Sequence, residues 1–290
     1  GSTYCTREHD SLKISNGKWC WFSRGIGGRT ALDYLIKVKE VPFTEAVERI
    51  VGRAAERPPV FHARAQPEKP KTLLLPPKSN SNTRVIAYLK SRGIDGGLIE
   101  QCIRSGQLYE SLPYHNAVFV GMDRNGTPRY ACLRGIGTDF KGEATGSDKR
   151  FSFALPATGE SRMLCVFESA IDLLSYATMA QAGGLSWRSQ HLLSLAGVYK
   201  PQKETQERRL PLALTQYLKD HAEIKTICLC LDNDMTGRSA TEAIRQQLAE
   251  RYEVASAFPR QGKDYNDWLC IRMGLQPAKE NPMTERSFAR

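Results

Sequence analysis

The sequence predicts an α/β protein: a carboxyl-terminal parallel sheet with flanking helices, preceded by a basic α+β subdomain and a small β/α module. Three observations carry that expectation. From about residue 160, short apolar runs alternate with helical stretches through short connections, the pattern of right-handed crossovers. Between 83 and 158, two helical patterns precede alternating apolar runs that flank Asn125-Gly126, a strong hairpin signal. Between 55 and 82, "ERPPVFHARAQPEKPKTLLLPPKSNSN" is rich in proline and charge, and reads as an extended linker. The expected divisions are therefore 1–54, 55–82, 83–158 and 159–290.

Each element has its own signal. Residues 11–23, "SLKISNGKWCWFS", read as a hairpin turning at Asn16-Gly17. A helix over 30–41 carries an apolar stripe of Ala31, Leu32, Leu35, Ile36 and Val38. A second, over 42–52, has Pro42 at its start, Thr44 as a cap and Gly52 as a stop. "TRVIAYLKSRG" and "DGGLIEQCIRSG" read as short helices ended by Gly93 and Gly106. Strands are expected in 116–135, and "GSDKRFSF" (146–153) closes that region. Beyond it come strand "RMLCVFE", helix "SAIDLLSYATMAQAG", strand "HLLSLAG", helix "LPLALTQYLKDHAE", strand "IKTICLCLDND", helix "TGRSATEAIRQQLAERY" and strand "EVASAFP".

Composition narrows the class. With 290 residues and 41% hydrophobic content, the chain can bury a sizeable core. No apolar run approaches the roughly 20 residues that cross a bilayer, and no secretory pattern opens the chain; Gly1-Ser2 is read as an added scar. A net charge of +10 favours an anionic partner, nucleic acid foremost, over a merely basic surface. The eight cysteines are scattered without a CxxC pair, and Cys165, Cys228 and Cys230 sit in apolar runs, which fits a reducing, cytoplasmic setting.

In open parallel sheets, functional groups gather at the carboxyl ends of the strands. Glu168 ends one predicted strand, and Asp232 and Asp234 end another. Residues i and i+2 share a strand face, so the two aspartates can aim at one ion. Converging carboxylates repel unless a cation neutralises them, and Mg²⁺, with its preference for hard oxygen ligands, suits the set. The plain alternative makes Asp232 an edge residue and Asp234 the N-cap of the following helix. Gly237 would let the backbone turn there and bring the next helix close.

"VFESAIDLLS" together with "LCLDNDMTGRSA" resembles the Toprim domain of bacterial primases, topoisomerases and related nucleases. That resemblance implies a Toprim-type sheet, with Glu168, Asp232 and Asp234 as metal-holding catalytic residues. Asp172 matches the primase spacing after the glutamate and is either a supporting residue or a helix-surface or capping one. "SLAGV" (194–198) is similar to the family's strand-to-glycine turn. "QGKDYNDWL" (261–269) resembles the ending of the branch found in plasmid and conjugative-element primases. There Lys263 would contact phosphate and Asp264 or Asp267 would support the metal; the alternative is a capped turn. Upstream, 116–153 resembles the basic subdomain of primase cores, which implies nucleotide or template contacts for Arg134, Lys149 and Arg150. The alternative is a solvated basic face.

The first module is similar to the primase zinc-ribbon over "GIGGRTALDYLIKVKEVPFTEAVERIVG", but the ligands do not carry over. The four ligand positions hold Thr6, His9, Trp21 and Arg24, with Cys5 and Cys20 one place off. A closed structural zinc site takes four ligands, so zinc is not expected; a three-ligand set of Cys5, His9 and Cys20 is the alternative. Trp19, Trp21 and Phe22 are expected to fill that place as core. Lys18, Arg24 and Arg29 with these aromatics could instead meet single-stranded DNA.

The resemblance implies a Mg²⁺-dependent (or Mn²⁺-dependent) DNA primase-like nucleotidyltransferase of a mobile element, acting on single-stranded DNA and nucleoside triphosphates. A replicative helicase or relaxosome component is the implied partner, and no membrane is involved. A Toprim nuclease and a catalytically vestigial DNA-binding accessory protein are the alternatives.

Overall fold

A computed structural model describes residues 3–6, 9–15, 17–56, 72–197 and 210–277, with backbone alone over 53–56. The chain divides into two compact units, Gly1–Glu68 and Lys69–Arg290.

In the first unit, strands β1 (Tyr4–Cys5), β2 (Leu12–Ser15), β3 (Lys18–Trp21) and β4 (Ile26–Gly28) form an antiparallel sheet in that order. The β2–β3 hairpin is the expected one, although Asn16 of its turn lies outside the described residues. Strands β1 and β4 are too short to show a period in sequence. Leu12, Trp19 and Trp21 form the core, with Ile14, Ile26, Tyr34 and Val38 packed on it. Phe22 does not join them: it is 68% exposed, because the chain enters a single 3₁₀ turn at Phe22–Arg24 that points the ring outward. Gly28 lets Trp19 pack close, since a Cβ there would lie 2.7 Å from the indole Nε1.

Helix α1 (Ala31–Lys37) starts at a reciprocal cap. The Asp33 N–H donates to Thr30 Oγ1 at 3.0 Å, and the Thr30 hydroxyl donates to Asp33 Oδ2 at 2.8 Å. Helix α2 (Phe43–Glu56) begins one residue before Thr44, which therefore does not cap it, and runs through Gly52 rather than stopping there. Glycine weakens a helix interior but does not end it without a left-handed cap. The α2 helix also takes up 55–56 of the expected linker.

The far end of that linker is not free either. The Leu74 N–H donates to Thr145 O, the Leu112 N–H to Pro77 O, and the Tyr109 hydroxyl to Pro76 O. Residues 72–82 thus strap onto the second unit, and 57–71 lie outside the described residues.

The second unit opens with α3 (Thr83–Ser91) and α4 (Gly96–Arg104). An antiparallel sheet follows in the order β5 (Leu108–Glu110), β6 (Ala117–Met122), β7 (Pro128–Arg134), β8 (Lys141–Glu143). The β6–β7 turn is tied by Asp123, whose Oδ1 accepts from the N–H groups of Asn125 and Thr127. After a 3₁₀ turn at Lys149–Phe151 comes β9 (Ala154–Leu155).

The larger sheet contains β10 (Met163–Phe167), β11 (His191–Ser194), β12 (Thr226–Leu229) and β13 (Glu253–Ser256). Its order is β13-β12-β10-β11-β9, parallel except for the β9 edge. Alternation sends Cys165 and Phe167 to the side of α5 (Ala170–Ala182) and α8 (Tyr265–Arg272). Leu164 and Val166 meet α6 (Leu212–Asp220) and α7 (Met235–Leu248) on the other side. Burial on both faces explains why β10 and β11 read as continuous apolar runs, whereas the edge strand β13 is largely exposed.

The expected boundary at 158/159 crosses one shared core. Val85, Leu89, Ile99 and Phe119 cluster with Phe167, Leu174 and Leu269.

Candidate functional site: an acidic cleft at the sheet's switch point

The chain leaves β10 for β11 on one side, then crosses to β12 on the other side of β10 and continues outward to β13. β10 and β12 are therefore neighbours whose connections run in opposite directions, the place where parallel sheets open a crevice. Glu168 leaves β10 and Asp232 follows β12 at this crevice. Strand pairing ends at Leu229 rather than Leu231, so both aspartates stand in the loop before α7.

The Asp232 N–H donates to Glu168 Oε1 at 3.3 Å. Asp234 caps α7, its Oδ1 accepting from the Gly237 N–H at 2.9 Å. Capping and an ion-directed role are compatible, because the other oxygen, Oδ2, faces Lys263 Nζ at 3.6 Å. Asp232 Oδ2 lies 3.7 Å from the same ammonium. A Cβ on Gly237 would sit 2.2 Å from Asp232 O and 2.9 Å from Glu168 Oε1, so only glycine lets α7 start this close.

Behind these groups lies a polar link between helices. Asp172 is buried on α5; its Oδ2 accepts from the Ser169 hydroxyl at 2.5 Å and its Oδ1 from the Asn266 N–H at 3.2 Å. Asn266 Nδ2 in turn donates to Arg92 O and to Ser175 Oγ. Asp172 is thus a buried tie between α5 and α8 rather than a helix-surface residue. Asp264 caps α8 through the Asp267 N–H at 2.7 Å, and Asp267 Oδ2 accepts from the Lys263 N–H at 3.0 Å. The turn after β13 is therefore a capped turn that also carries Lys263 into the cleft.

Burial and mutual repulsion set the electrostatics. Desolvation pushes Glu168 up to about 7, helped by the charges of Asp234 and Asp172 and opposed by the Asp232 N–H. Desolvation, then Asp172, Glu168 and Asp264, pushes Asp232 up to about 8. Asp264 rises to about 7 by desolvation and the charge of Asp172, and desolvation also raises fully buried Asp172. These carboxylates are under-neutralised by the protein alone. Their hard oxygens fit a Mg²⁺-class cation in donor chemistry. Glu168, Asp232 and Asp234 do not bring one oxygen each within 4.8 Å of the others, and Lys263 Nζ lies near both aspartates. Among the described residues, the triads of ligating side chains lying within 4.8 Å of one another are Cys165/Cys228/Cys230 and His191/His221/Glu223.

The cleft has a volume of about 1090 Å³, and β7, β8 and the end of α3 also line it. Arg134 ends β7 and lies beside Lys141 of β8 in the sheet register; both line the cleft. Arg92, at the C-cap of α3, also lines it, with its guanidinium 5.7 Å from the Tyr88 ring. Its buried Nε has no hydrogen-bond partner among the described residues. Lys149 and Arg150 do not line the cleft. Lys149 Nζ is 2.9 Å from Glu143 Oε1, and the Arg150 guanidinium grips Asp148 at 2.6–3.0 Å. The 3₁₀ turn directs both toward their own carboxylates.

Arg92 and Lys141 escaped sequence reasoning. Arg92 reads as an ordinary basic residue at a helix end, and Lys141 lies in a strand of three residues. Asn266 was visible only inside the "KDYND" motif.

In the first unit, Lys18 is exposed on β3. Arg24 pairs with Glu40 at 3.7 Å and lies 4.3 Å over the Trp21 ring, and the Arg29 N–H donates to Asp33 Oδ2. His9 packs against Trp21 at 4.4 Å between ring centroids. Cys5 and Cys20 both register with Lys13, one strand to either side of it.

Residues 165–269 match a family described as Toprim-like, and residues 87–159 match one described as a protein of unknown function. An uncharacterized protein of Bacillus anthracis is 27% identical over 86% of this chain and 72% of its own length. A 65 kDa protein of Zymomonas mobilis is 23% identical over 91% of this chain, which spans only 46% of that relative. Among solved structures, the primase fragment of the bacteriophage T7 primase-helicase protein is similar at 18% identity with a TM-score of 0.44, covering 91% of this chain and 90% of that one. The carboxyl-terminal domain is thus Toprim-like, on an α/β fold. No helix among the described residues is long and apolar enough to cross a membrane.

Proposed function

We propose that this Toprim-like chain is a metal-dependent, DNA primase-like nucleotidyltransferase that synthesises primers on single-stranded DNA from nucleoside triphosphates. The observation that carries the reading is the cleft itself. Glu168 and Asp232 line the cleft at the switch point of the sheet, Asp234 stands beside them across Lys263, and Arg134 and Lys141 line the cleft from β7 and β8. Carboxylates and cations in one cleft suit phosphoryl transfer between polyanions, where positioning and charge stabilisation supply most of the rate.

In this reading Asp232 and Asp234 hold a Mg²⁺-class ion, with Mn²⁺ able to substitute. That ion, when bound, supplies charge neutralisation at the reacting phosphate and lowers the pKa of the attacking hydroxyl. Glu168, raised to about 7, is poised to accept the 3′-hydroxyl proton. Arg134 and Lys141 bind phosphate oxygens of the incoming nucleotide or template. Lys263 lies on the carboxylate side, within reach of both aspartates. Asp172, Asp264 and Asp267 keep α5, α8 and the Lys263 turn in register. Lys18, Arg24 and Arg29, with the exposed Phe22 ring, form a secondary contact for single-stranded DNA. Lys149 and Arg150 serve only as general basic surface. Replication or transfer of a mobile element, with a helicase or relaxosome partner in the cytoplasm, is the setting that the family resemblance implies.

The test is template-directed primer synthesis on single-stranded DNA with Mg²⁺ or Mn²⁺. Asp232→Ala and Asp234→Ala are each expected to lower it by at least about 10³-fold, roughly 4 kcal/mol of transition-state stabilisation. Undiminished synthesis in both variants sinks the assignment. Cleavage of labelled DNA in the absence of nucleoside triphosphates assigns the same cleft to a nuclease. DNA binding with neither activity assigns the chain to an accessory role.

A further inference from the structure

The amino-terminal edge of the large sheet, remote along its strands from the acidic cleft, carries a second polar cluster. His191 is the first residue of β11 and only 3% exposed. His221 caps the end of α6, and Glu223 lies in the turn that leads to β12. His221 Nδ1 is 3.0 Å from Glu223 Oε1, and His191 Nε2 is 3.8 Å from the same oxygen. The two imidazole rings are 4.7 Å apart between centroids, and one ligating atom from each of the three residues falls within a 4.8 Å span.

The decisive atom is His191 Nε2, which is buried and has no hydrogen-bond partner among the described residues. A buried polar atom left unpaired costs free energy and calls for an explanation. The other ring nitrogen supplies one. His191 Nδ1 lies 3.0 Å from the Tyr217 hydroxyl. With its proton on Nδ1, donated to Tyr217 Oη, the ring leaves a lone pair on Nε2 that faces His221 and Glu223. That is the arrangement of a metal-ligating histidine oriented by an outer partner. The Ala157 N–H, at 3.4 Å from Nδ1, is the longer contact. It fits the opposite tautomer, in which an Nε2–H would face Glu223 from beyond hydrogen-bond reach. Two imidazoles and one carboxylate form a borderline-soft donor set that suits zinc-class ions, whereas magnesium prefers an all-oxygen site. Bonds of about 2 Å bring tetrahedral ligand atoms to roughly 3.4 Å apart, so the three side chains, already within 4.8 Å, need a small further approach to close the set.

We propose that His191, His221 and Glu223 form a site for a divalent transition ion of the zinc class, with the fourth position open to water on the Glu223 side. The site joins the end of α6, the start of β11 and the turn into β12. Its role is to pin α6 to the sheet, and it takes no part in the chemistry of the acidic cleft.

Cobalt(II) is the probe, titrated into the full chain with millimolar Mg²⁺ present to occupy the acidic cleft. One equivalent is expected to bind with visible d–d bands. His221→Ala and Glu223→Gln, both at partly exposed side chains, are expected to weaken binding by about 100-fold or more. Tyr217→Phe, which removes only the outer partner, is expected to weaken it by roughly 10- to 100-fold. Asp232→Asn is expected to leave it unchanged, and Zn²⁺ is expected to raise the melting temperature of the wild type but not of Glu223→Gln. No cobalt uptake, or uptake insensitive to both His221→Ala and Glu223→Gln, overturns the proposal. So do strong thiolate charge-transfer bands, which would place the ion on Cys165, Cys228 and Cys230.

Discussion

Asp232 is ionised at neutral pH only at a cost, because burial comes first and three acidic neighbours follow, bringing its carboxyl to about 8 in the fold. An unfolded aspartate titrates near 4. Between those values the native state binds more protons than the unfolded one, so metal-free stability is greatest at the acid end and falls as pH rises toward 8. Glu168, at about 7, adds to the same trend. Denaturant melts at pH 5 and pH 8 are expected to show this fall, with Asp232→Asn and saturating Mg²⁺ each flattening it. Gly237 is as constrained as the carboxylates it adjoins. Gly237→Ala drives a methyl into Asp232 O, so a loss of about 1–3 kcal/mol and a displaced acidic pair are expected. Calorimetric Mg²⁺ titration beside a thermal melt checks both effects. The placement of Glu168 and of Asp232 and Asp234 after neighbouring strands was legible in the sequence because strand-end placement is a rule of chain topology. Lys263 as their counter-ion was not, since a turn 29 residues beyond Asp234 has no local signal of where its side chain lands.

At the scale of elements, α5 and α8 are joined by polar as well as apolar contacts. Asn266 meets Asp172 through its backbone, and Ser175 and Arg92 through its side-chain amide. Asn266→Ala keeps the backbone bond and removes two buried hydrogen bonds, while Ser175 Oγ still donates to Ile171 O and Arg92 O still accepts from the Cys270 thiol, so a loss of about 1–2 kcal/mol is expected in urea unfolding. The strand–helix alternation beyond residue 160 read correctly because buried parallel strands and their crossover helices each impose a strong pattern. Short elements did not read: β1, β4 and β8 span two or three residues, too few for a period to repeat. Gly52 misled for a different reason. A glycine marks a helix end only where the backbone turns left-handed, as at Gly93 (φ 81°) and Gly106 (φ 74°).

Across the whole molecule, composition indicated a basic protein with a large core but not how that core is shared. Residues 83–158 and 159–290 were separable in pattern because one is antiparallel and the other parallel, yet they bury their apolar faces against each other. A fragment of 72–277 is therefore expected to unfold cooperatively, while 159–277 alone, which leaves Phe167, Leu174 and Leu269 uncovered, is expected to be molten or aggregated. Circular dichroism melts and proton NMR dispersion distinguish the two. The same continuity constrains motion. Strand β9 is delivered by the region that builds the cationic wall, yet it pairs along the edge of the sheet that carries the acidic wall. Hinged closure requires walls that part along a sparse seam, and here the seam is stitched by a strand and filled by common core. The cleft is expected to act as a fixed gauge: its aperture is set when the chain folds, and a ligand is accepted or refused by that width rather than clasped.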